Sequence, residues 1–248
     1  MSRRDGSRSP SHLGVLQLLP NMLTLGAICA GLTAIRLSVQ GDYLTAVQLI
    51  LLAAVMDGLD GRLARLLRSD SRMGAELDSL ADFLNFGVTP ALVLYFWALE
   101  DTRSLGWIAA LIFAICCVIR LARFNIATKA EEAPDNTFFM GVPSPAAAIL
   151  VMLPMYVSFG LADSSILPDL VLCLYMMAIG ITMILRIPTY SFKKLRISRE
   201  NAKFALLGTV IVGAAVVIFP WIALAGLCLV YVVVVVWVWA KGRKDKET

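Results

Sequence analysis

The sequence predicts an all-α, polytopic membrane protein: a bundle of about eight transmembrane helices with both termini in the cytoplasm. Hydrophobic residues make up 59% of the 248 residues, compared with about 45–50% in soluble domains. They are concentrated in runs close to the length that crosses a hydrocarbon core. Basic residues occur mainly in every second connection between these runs, which is the pattern of cytoplasmic loops.

The apolar runs are predicted to be helices, because a helix satisfies its own backbone hydrogen bonds in lipid. Segments two and three are apolar only in part, since an acidic motif occupies their facing ends. The last two segments, which meet at Pro220, could instead form one re-entrant hairpin with the same sidedness. In chain order the segments are 20–39, 43–67, 80–99, 105–125, 143–161, 165–186, 203–219 and 221–240.

The distribution of charge sets the predicted orientation. With the N-terminus in the cytoplasm, only Arg36 and Arg103 of the 22 basic residues fall toward the other side. The acidic motif then lies at the cytoplasmic face, and the compact topology favours a bacterial cytoplasmic membrane. We expect no soluble domain and no nucleic-acid partner, so any chemistry takes place at the lipid bilayer.

The cysteines are predicted to be buried thiols. All of them lie in apolar segments, and none belongs to a Cys-x-x-Cys or Cys/His array. We therefore expect neither disulfides nor a zinc site. They are Cys29, Cys116, Cys117, Cys173 and Cys228.

Four aspartates carry the functional prediction. Asp57 and Asp60 are spaced i, i+3 and Asp78 and Asp82 are spaced i, i+4, so each pair shares one helix face. Two helices that meet at their cytoplasmic ends would bring the four carboxylates together, which is unfavourable unless cations neutralise them. Hard oxygen ligands favour Mg²⁺ or Mn²⁺, and two such ions could clamp a phosphoryl group.

Residues around the aspartates suit a phosphate. Gly61 and Gly74 leave room for a ligand against the backbone, and Arg65 offers a guanidinium fork. Two other interpretations stay open at this point. The aspartates could pair with neighbouring arginines in a solvated loop, or they could form the ion site of a divalent-cation transporter.

The complete motif resembles the signature of the CDP-alcohol phosphotransferase family at every fixed position. This resemblance implies a polytopic enzyme that uses a CDP-linked lipid, releases CMP and commonly forms a homodimer. It also implies a six-helix catalytic core at 20–186, between a basic N-terminal segment (1–19) and a basic cytoplasmic loop (187–202). Two additional transmembrane helices (203–240) and a cytoplasmic tail (241–248) would follow. The motif reads Asp57-x2-Asp60-Gly61-x2-Ala64-Arg65-x8-Gly74-x3-Asp78-x3-Asp82.

The resemblance also implies a role for each matching residue. Asp57, Asp60 and Asp78 would hold the first of two Mg²⁺ or Mn²⁺ ions. Asp78 and Asp82 would hold the second, and Asp82 would be the catalytic base. The residues implied to contact CDP-diacylglycerol are Asn21, Thr24, Gly61, Arg65, Ser71 and Gly74. For Asn21 and Thr24, ordinary helix capping accounts for the residue types equally well.

Three further blocks resemble the bacterial, membrane-embedded branch of the family that uses serine: 76–91, 120–125 and 139–148. The implied reaction is CDP-diacylglycerol + L-serine → phosphatidylserine + CMP. Arg120 and Arg123 are candidates to bind the serine carboxylate, and Asn125 is a weaker one. The arginines could instead anchor their helix at lipid headgroups. Choline, inositol phosphate and glycerol phosphate remain alternative acceptors.

Overall fold

The computed structural model describes residues 18–67, 69, 71–102, 104–129, 138–161, 167–185, 188–190 and 213–244. It confirms a helical membrane protein, all-α apart from one short antiparallel pair of strands. The helices are α1 (Leu19–Val39), α2 (Tyr43–Leu67), α3 (Arg72–Asp82), α4 (Thr89–Leu94), α5 (Ser104–Lys129), α6 (Ser144–Val151), α7 (Leu153–Leu161), α8 (Asp169–Ile184) and α9 (Pro220–Lys244). The strands are β1 (Phe138–Met140) and β2 (Pro188–Tyr190).

Within the described residues, six helical spans are long and apolar enough to cross a membrane, and α8 is a shorter apolar helix of 16 residues. Segments one to six and segment eight of the prediction each correspond to helical structure. Segment seven lies largely outside the described residues. Its described part includes a helical stretch at 213–218. The N-terminal segment up to residue 17, most of the basic loop and the end of the tail also lie outside them.

The third span is longer than predicted. It runs from Arg72 to Thr102 and includes two π-helical stretches, Phe83–Val88 and Tyr95–Leu99. It starts at Arg72 rather than near residue 80 because Ser71 caps the helix: its side chain accepts a hydrogen bond from the backbone N–H of Gly74. The second half of the acidic motif therefore lies on a helix.

The fifth span contains an interruption. Helix α6 ends at Val151, and α7 begins at Leu153, one residue before Pro154. Proline has no N–H to donate to the preceding turn, so the regular helix stops at Met152 and restarts. The predicted continuous segment 143–161 is thus two short helices in series.

Two packing arrangements position the site. Helices α1 and α2 form an antiparallel hairpin closed by Gly41 at φ 84°, a conformation that glycine adopts without strain. Helices α5 and α8 pack around a core that includes Phe113, Met176 and Tyr156. Strand β1 pairs with β2 in the register Phe139↔Thr189. The hydrophobic pattern of the sequence did not predict this strand pair.

The prediction that the cysteines are buried holds for four of the five. All five thiols are free, as expected, but Cys29 is exposed on α1. The prediction of burial is wrong for Cys29 because a membrane helix can turn an apolar side chain toward lipid as readily as toward protein.

Candidate active site

The site begins with a buried aspartate two turns before the end of α2. Asp60 is 3% exposed, and its Oδ2 accepts a hydrogen bond from Thr24 Oγ1 at 2.6 Å. Its other oxygen, Oδ1, is buried and has no hydrogen-bond partner among the described residues. A buried carboxylate oxygen without a partner is unfavourable, so Asp60 is suited to a ligand that supplies positive charge.

Three carboxylates meet at this point. One oxygen each from Asp57, Asp60 and Asp78 lies within 4.8 Å of the other two. The carboxylate of Asp57 also lies close to that of Asp82, which is one turn beyond Asp78 on α3. The predicted convergence of α2 and α3 at their facing ends is therefore present in the structure. The set of hard oxygen donors, together with the unpartnered Asp60 Oδ1, fits a divalent cation.

A cleft of about 190 Å³ opens beside the carboxylates. Five of the six residues predicted to contact the nucleotide lie in its wall; Arg65 does not. Arg65 is exposed, and its Nε donates to the carbonyl oxygen of Gly61 at 3.0 Å. The wall consists of Pro20, Asn21, Thr24, Asp60, Gly61, Ala64, Ser69, Ser71, Gly74, Ala75 and Asp78.

The two glycines of the motif differ in what surrounds them. A Cβ at Gly74 would lie 3.0 Å from Asn21 Oδ1 and 3.1 Å from Ser71 Oγ, so Gly74 lets α3 approach α1 closely. A Cβ at Gly61 would meet no protein atom within 4 Å. Packing therefore does not require glycine at position 61, where the open space belongs to the cleft.

Two features of the cleft were missed by sequence reasoning. Thr24 lies in the cleft wall, and the hydrogen bond that its hydroxyl donates to the carboxylate of Asp60 was not predicted. Ser69 lies in the wall, and its Oγ is buried without a partner among the described residues. Its place in the polar turn between the two halves of the motif was the signal that could have indicated it.

The three residues predicted to bind serine are not brought to one point. Arg120 is close enough to Asp82 for electrostatic attraction, and its Nη1 donates to Ser144 Oγ at 2.7 Å. Arg123 is exposed, and its Nη1 donates to the carbonyl oxygen of Ile184 at the end of α8.

Asn125 is hydrogen-bonded to Ser79 on α3. Its Nδ2 lies 3.1 Å from Ser79 Oγ, and the Ser79 hydroxyl lies 3.4 Å from Asn125 Oδ1. Ser79 directly follows Asp78, so this pair ties α5 to the helix that carries two of the aspartates. Of the three predicted residues, Arg120 is the one that interacts electrostatically with Asp82.

The sequence matches the CDP-alcohol phosphatidyltransferase family over residues 17–187. It is 40% identical over 235 residues to the CDP-diacylglycerol–serine O-phosphatidyltransferase of Mycobacterium leprae, which covers 93% of this chain and 76% of that protein. It is 34% identical over 217 residues to the protein of the same name from Methanocaldococcus jannaschii, covering 87% and 90%. A third relative of that name, from Helicobacter pylori, is 41% identical over 138 residues, or 56% and 57% of the two chains. The family match extends over more than half of the chain and contains all four aspartates of the site, so this protein belongs to the CDP-alcohol phosphatidyltransferase family.

Proposed function

We propose that this protein is an enzyme that transfers the phosphatidyl group of CDP-diacylglycerol to the hydroxyl of L-serine and releases CMP. The observation that carries the proposal is the meeting of Asp57, Asp60 and Asp78 beside an open cleft. The choice of serine as the acceptor rests on the relatives, which are named CDP-diacylglycerol–serine O-phosphatidyltransferases.

The carboxylates are proposed to hold two divalent ions, Mg²⁺ or Mn²⁺. Asp57, Asp60 and Asp78 would bind the first ion, and Asp78 and Asp82 the second. When bound, such ions neutralise charge on the pyrophosphate and on the departing CMP. The unpartnered Oδ1 of Asp60 supports this assignment, because metal binding would satisfy a buried oxygen.

The cleft is proposed to hold the CDP part of the lipid substrate. Asn21, Gly61, Ser71 and Gly74 line it, and Arg65, which donates to the carbonyl oxygen of Gly61, would bind a phosphate. Thr24 also lines the cleft, and we propose that its hydroxyl orients Asp60 in addition to contacting the substrate.

The transfer itself needs a base and no enzyme nucleophile. Asp82 would accept the proton of the serine hydroxyl as the serine oxygen forms a bond to the lipid-bearing phosphorus. The bond from that phosphorus to the bridging oxygen breaks, and CMP leaves with this oxygen. Arg120 beside Asp82 would bind the serine carboxylate and so orient the hydroxyl toward the base.

The remaining proposals concern the whole molecule. The six-helix core at 20–186 would carry the reaction, and the two helices of 203–240 would be additional to it. We further propose a homodimer in a bacterial cytoplasmic membrane, with the aspartates facing the cytoplasm. Family membership and the cleft beside the aspartates favour this transferase over a divalent-cation transporter.

CMP release from CDP-diacylglycerol by the purified protein, with Mn²⁺ or Mg²⁺, tests the proposal. L-serine, choline, inositol phosphate and glycerol phosphate are supplied separately, and the lipid product is identified by mass spectrometry. We expect release with serine and phosphatidylserine as the product. Release with a different acceptor alone would keep the family chemistry and overturn the choice of serine.

A further inference from the structure

A buried polar contact lies behind Asp82, between α5 and α6. Ser144 is fully buried, at 0% exposure, and its Oγ accepts a hydrogen bond of 2.7 Å from Arg120 Nη1. The thiol of Cys117, one turn before Arg120 on α5, also lies close to Ser144. A hydroxyl this deep in an apolar bundle is unfavourable without partners, and here its partner is the arginine nearest the proposed base.

The chain before Ser144 is built to place it there. Gly141 has φ 84°, and a Cβ at this position would overlap the carbonyl oxygen of Met183 near the end of α8. Only glycine combines this conformation with such a close approach. The backbone N–H of Val142 then donates to the carbonyl oxygen of Thr182 at 3.3 Å, and α6 begins at Ser144 with its side chain toward α5.

Ser144 controls how the guanidinium of Arg120 is oriented. Nε of Arg120 is buried and has no hydrogen-bond partner among the described residues. The hydrogen bond from Nη1 to Ser144 therefore fixes the orientation of the guanidinium group. Without that bond, the guanidinium would be free to rotate toward Asp82, to which it is attracted. A closed Arg120–Asp82 pair would occupy the group proposed to bind the carboxylate and the group proposed to accept the proton.

We propose that Ser144 is a positioning residue that sets the preference for an acceptor bearing a carboxylate. It does so by holding the Arg120 guanidinium out of a closed pair with Asp82, which leaves the guanidinium available for paired hydrogen bonds to the carboxylate of the acceptor. This inference rests on the proposed function, because it concerns the acceptor side of the same site.

Steady-state kinetics of Ser144→Ala test the proposal, with L-serine and with ethanolamine, an acceptor that lacks the carboxylate. We expect KM for serine to rise about tenfold, the scale of a lost hydrogen bond to a charged group. KM for CDP-diacylglycerol should stay within about twofold of wild type, since Ser144 does not line the cleft. The preference for serine over ethanolamine should fall, and Ser144→Thr, which keeps the hydroxyl, should restore it.

Ser38→Ala is the matched control. Ser38 is another buried serine with a 2.7 Å hydrogen bond, to the carbonyl oxygen of Ile35 on α1, and it should leave KM for serine unchanged. If Ser144→Ala is not recovered folded, Ser144→Cys keeps a similar volume with a weaker acceptor and should show the same selective change.

The outcomes separate the two proposals. A serine KM that matches wild type in a folded Ser144 variant would overturn the role of Ser144 while the transferase stands. Parallel changes in both KM values and in melting temperature would also overturn it, because they indicate a packing role. Absence of serine-dependent CMP release in the wild type would overturn the proposed function itself.

Discussion

Replacing Thr24 by valine removes one hydroxyl and keeps the shape of the side chain. Thr24 and Asp60 are 4% and 3% exposed, and the hydroxyl lies 2.6 Å from Asp60 Oδ2. Because Oδ1 lacks a hydrogen-bond partner within the described part of the chain, the substitution removes the side-chain hydrogen bond that orients the carboxylate. A cation would then have to order the carboxylate as well as bind it.

The size of the effect follows from the contact that is lost. A hydrogen bond to a charged group contributes about 1.5–3 kcal/mol, and about 1.4 kcal/mol corresponds to a tenfold change in affinity. Loss of a group that orients a metal ligand typically weakens metal binding by about 10–100-fold. We therefore expect the Kd for Mn²⁺ to rise by about 10–100-fold in Thr24→Val.

Titration with Mn²⁺, followed by the electron paramagnetic resonance signal of the free ion, measures this Kd without turnover. Thr33→Val is the control, since Thr33 lies on the same helix and its hydroxyl donates at 2.6 Å to the carbonyl oxygen of Cys29, on an exposed face. Equal Mn²⁺ affinity in the two folded variants would refute the role of Thr24 in orienting Asp60.

Three further predictions concern α2, α3 and α5. Gly61→Ala should raise KM for CDP-diacylglycerol without lowering the melting temperature, because the added methyl group would enter the cleft and meet no protein atom. Gly58→Ala is the control: Gly58 also faces open space but lies outside the cleft wall, so KM should stay unchanged. Ser79→Ala and Asn125→Ala should be non-additive in urea unfolding, with a coupling of about 0.5–1.5 kcal/mol, and full additivity would contradict their hydrogen bonds. Asp60→Asn should abolish high-affinity Mn²⁺ binding in the same titration used for Thr24→Val, and retained affinity would exclude Asp60 as a ligand.

The aspartates show what the sequence can predict about this site. Spacings of i, i+3 and i, i+4 fix which carboxylates share a helix face, and their position between two apolar runs places those faces at adjoining helix ends. The meeting of Asp57, Asp60 and Asp78 follows from these two facts. The long apolar runs likewise predict the helices, because lipid leaves the backbone few alternatives.

Contacts that depend on how helices rotate against each other were not predictable. Thr24 and Asp60 are 36 residues apart, and whether one faces the other depends on the α1–α2 packing. The same holds for Arg120 and Ser144, whose contact also requires the turn at Gly141. Helix ends inside a span were missed for a local reason: Met152 belongs to a continuous apolar run, and the break there comes from proline chemistry that hydropathy does not register.

Serine-dependent CMP release by Asp82→Asn tests the central claim most directly. Asp101→Asn is the control, since Asp101 is an exposed aspartate at the other end of the same span. With CDP-diacylglycerol, L-serine and Mn²⁺ supplied, we predict that Asp101→Asn retains the wild-type rate. The rate of folded Asp82→Asn should fall by about 10²–10⁴-fold, which is the typical contribution of a general base. A rate for Asp82→Asn close to that of Asp101→Asn would contradict the account.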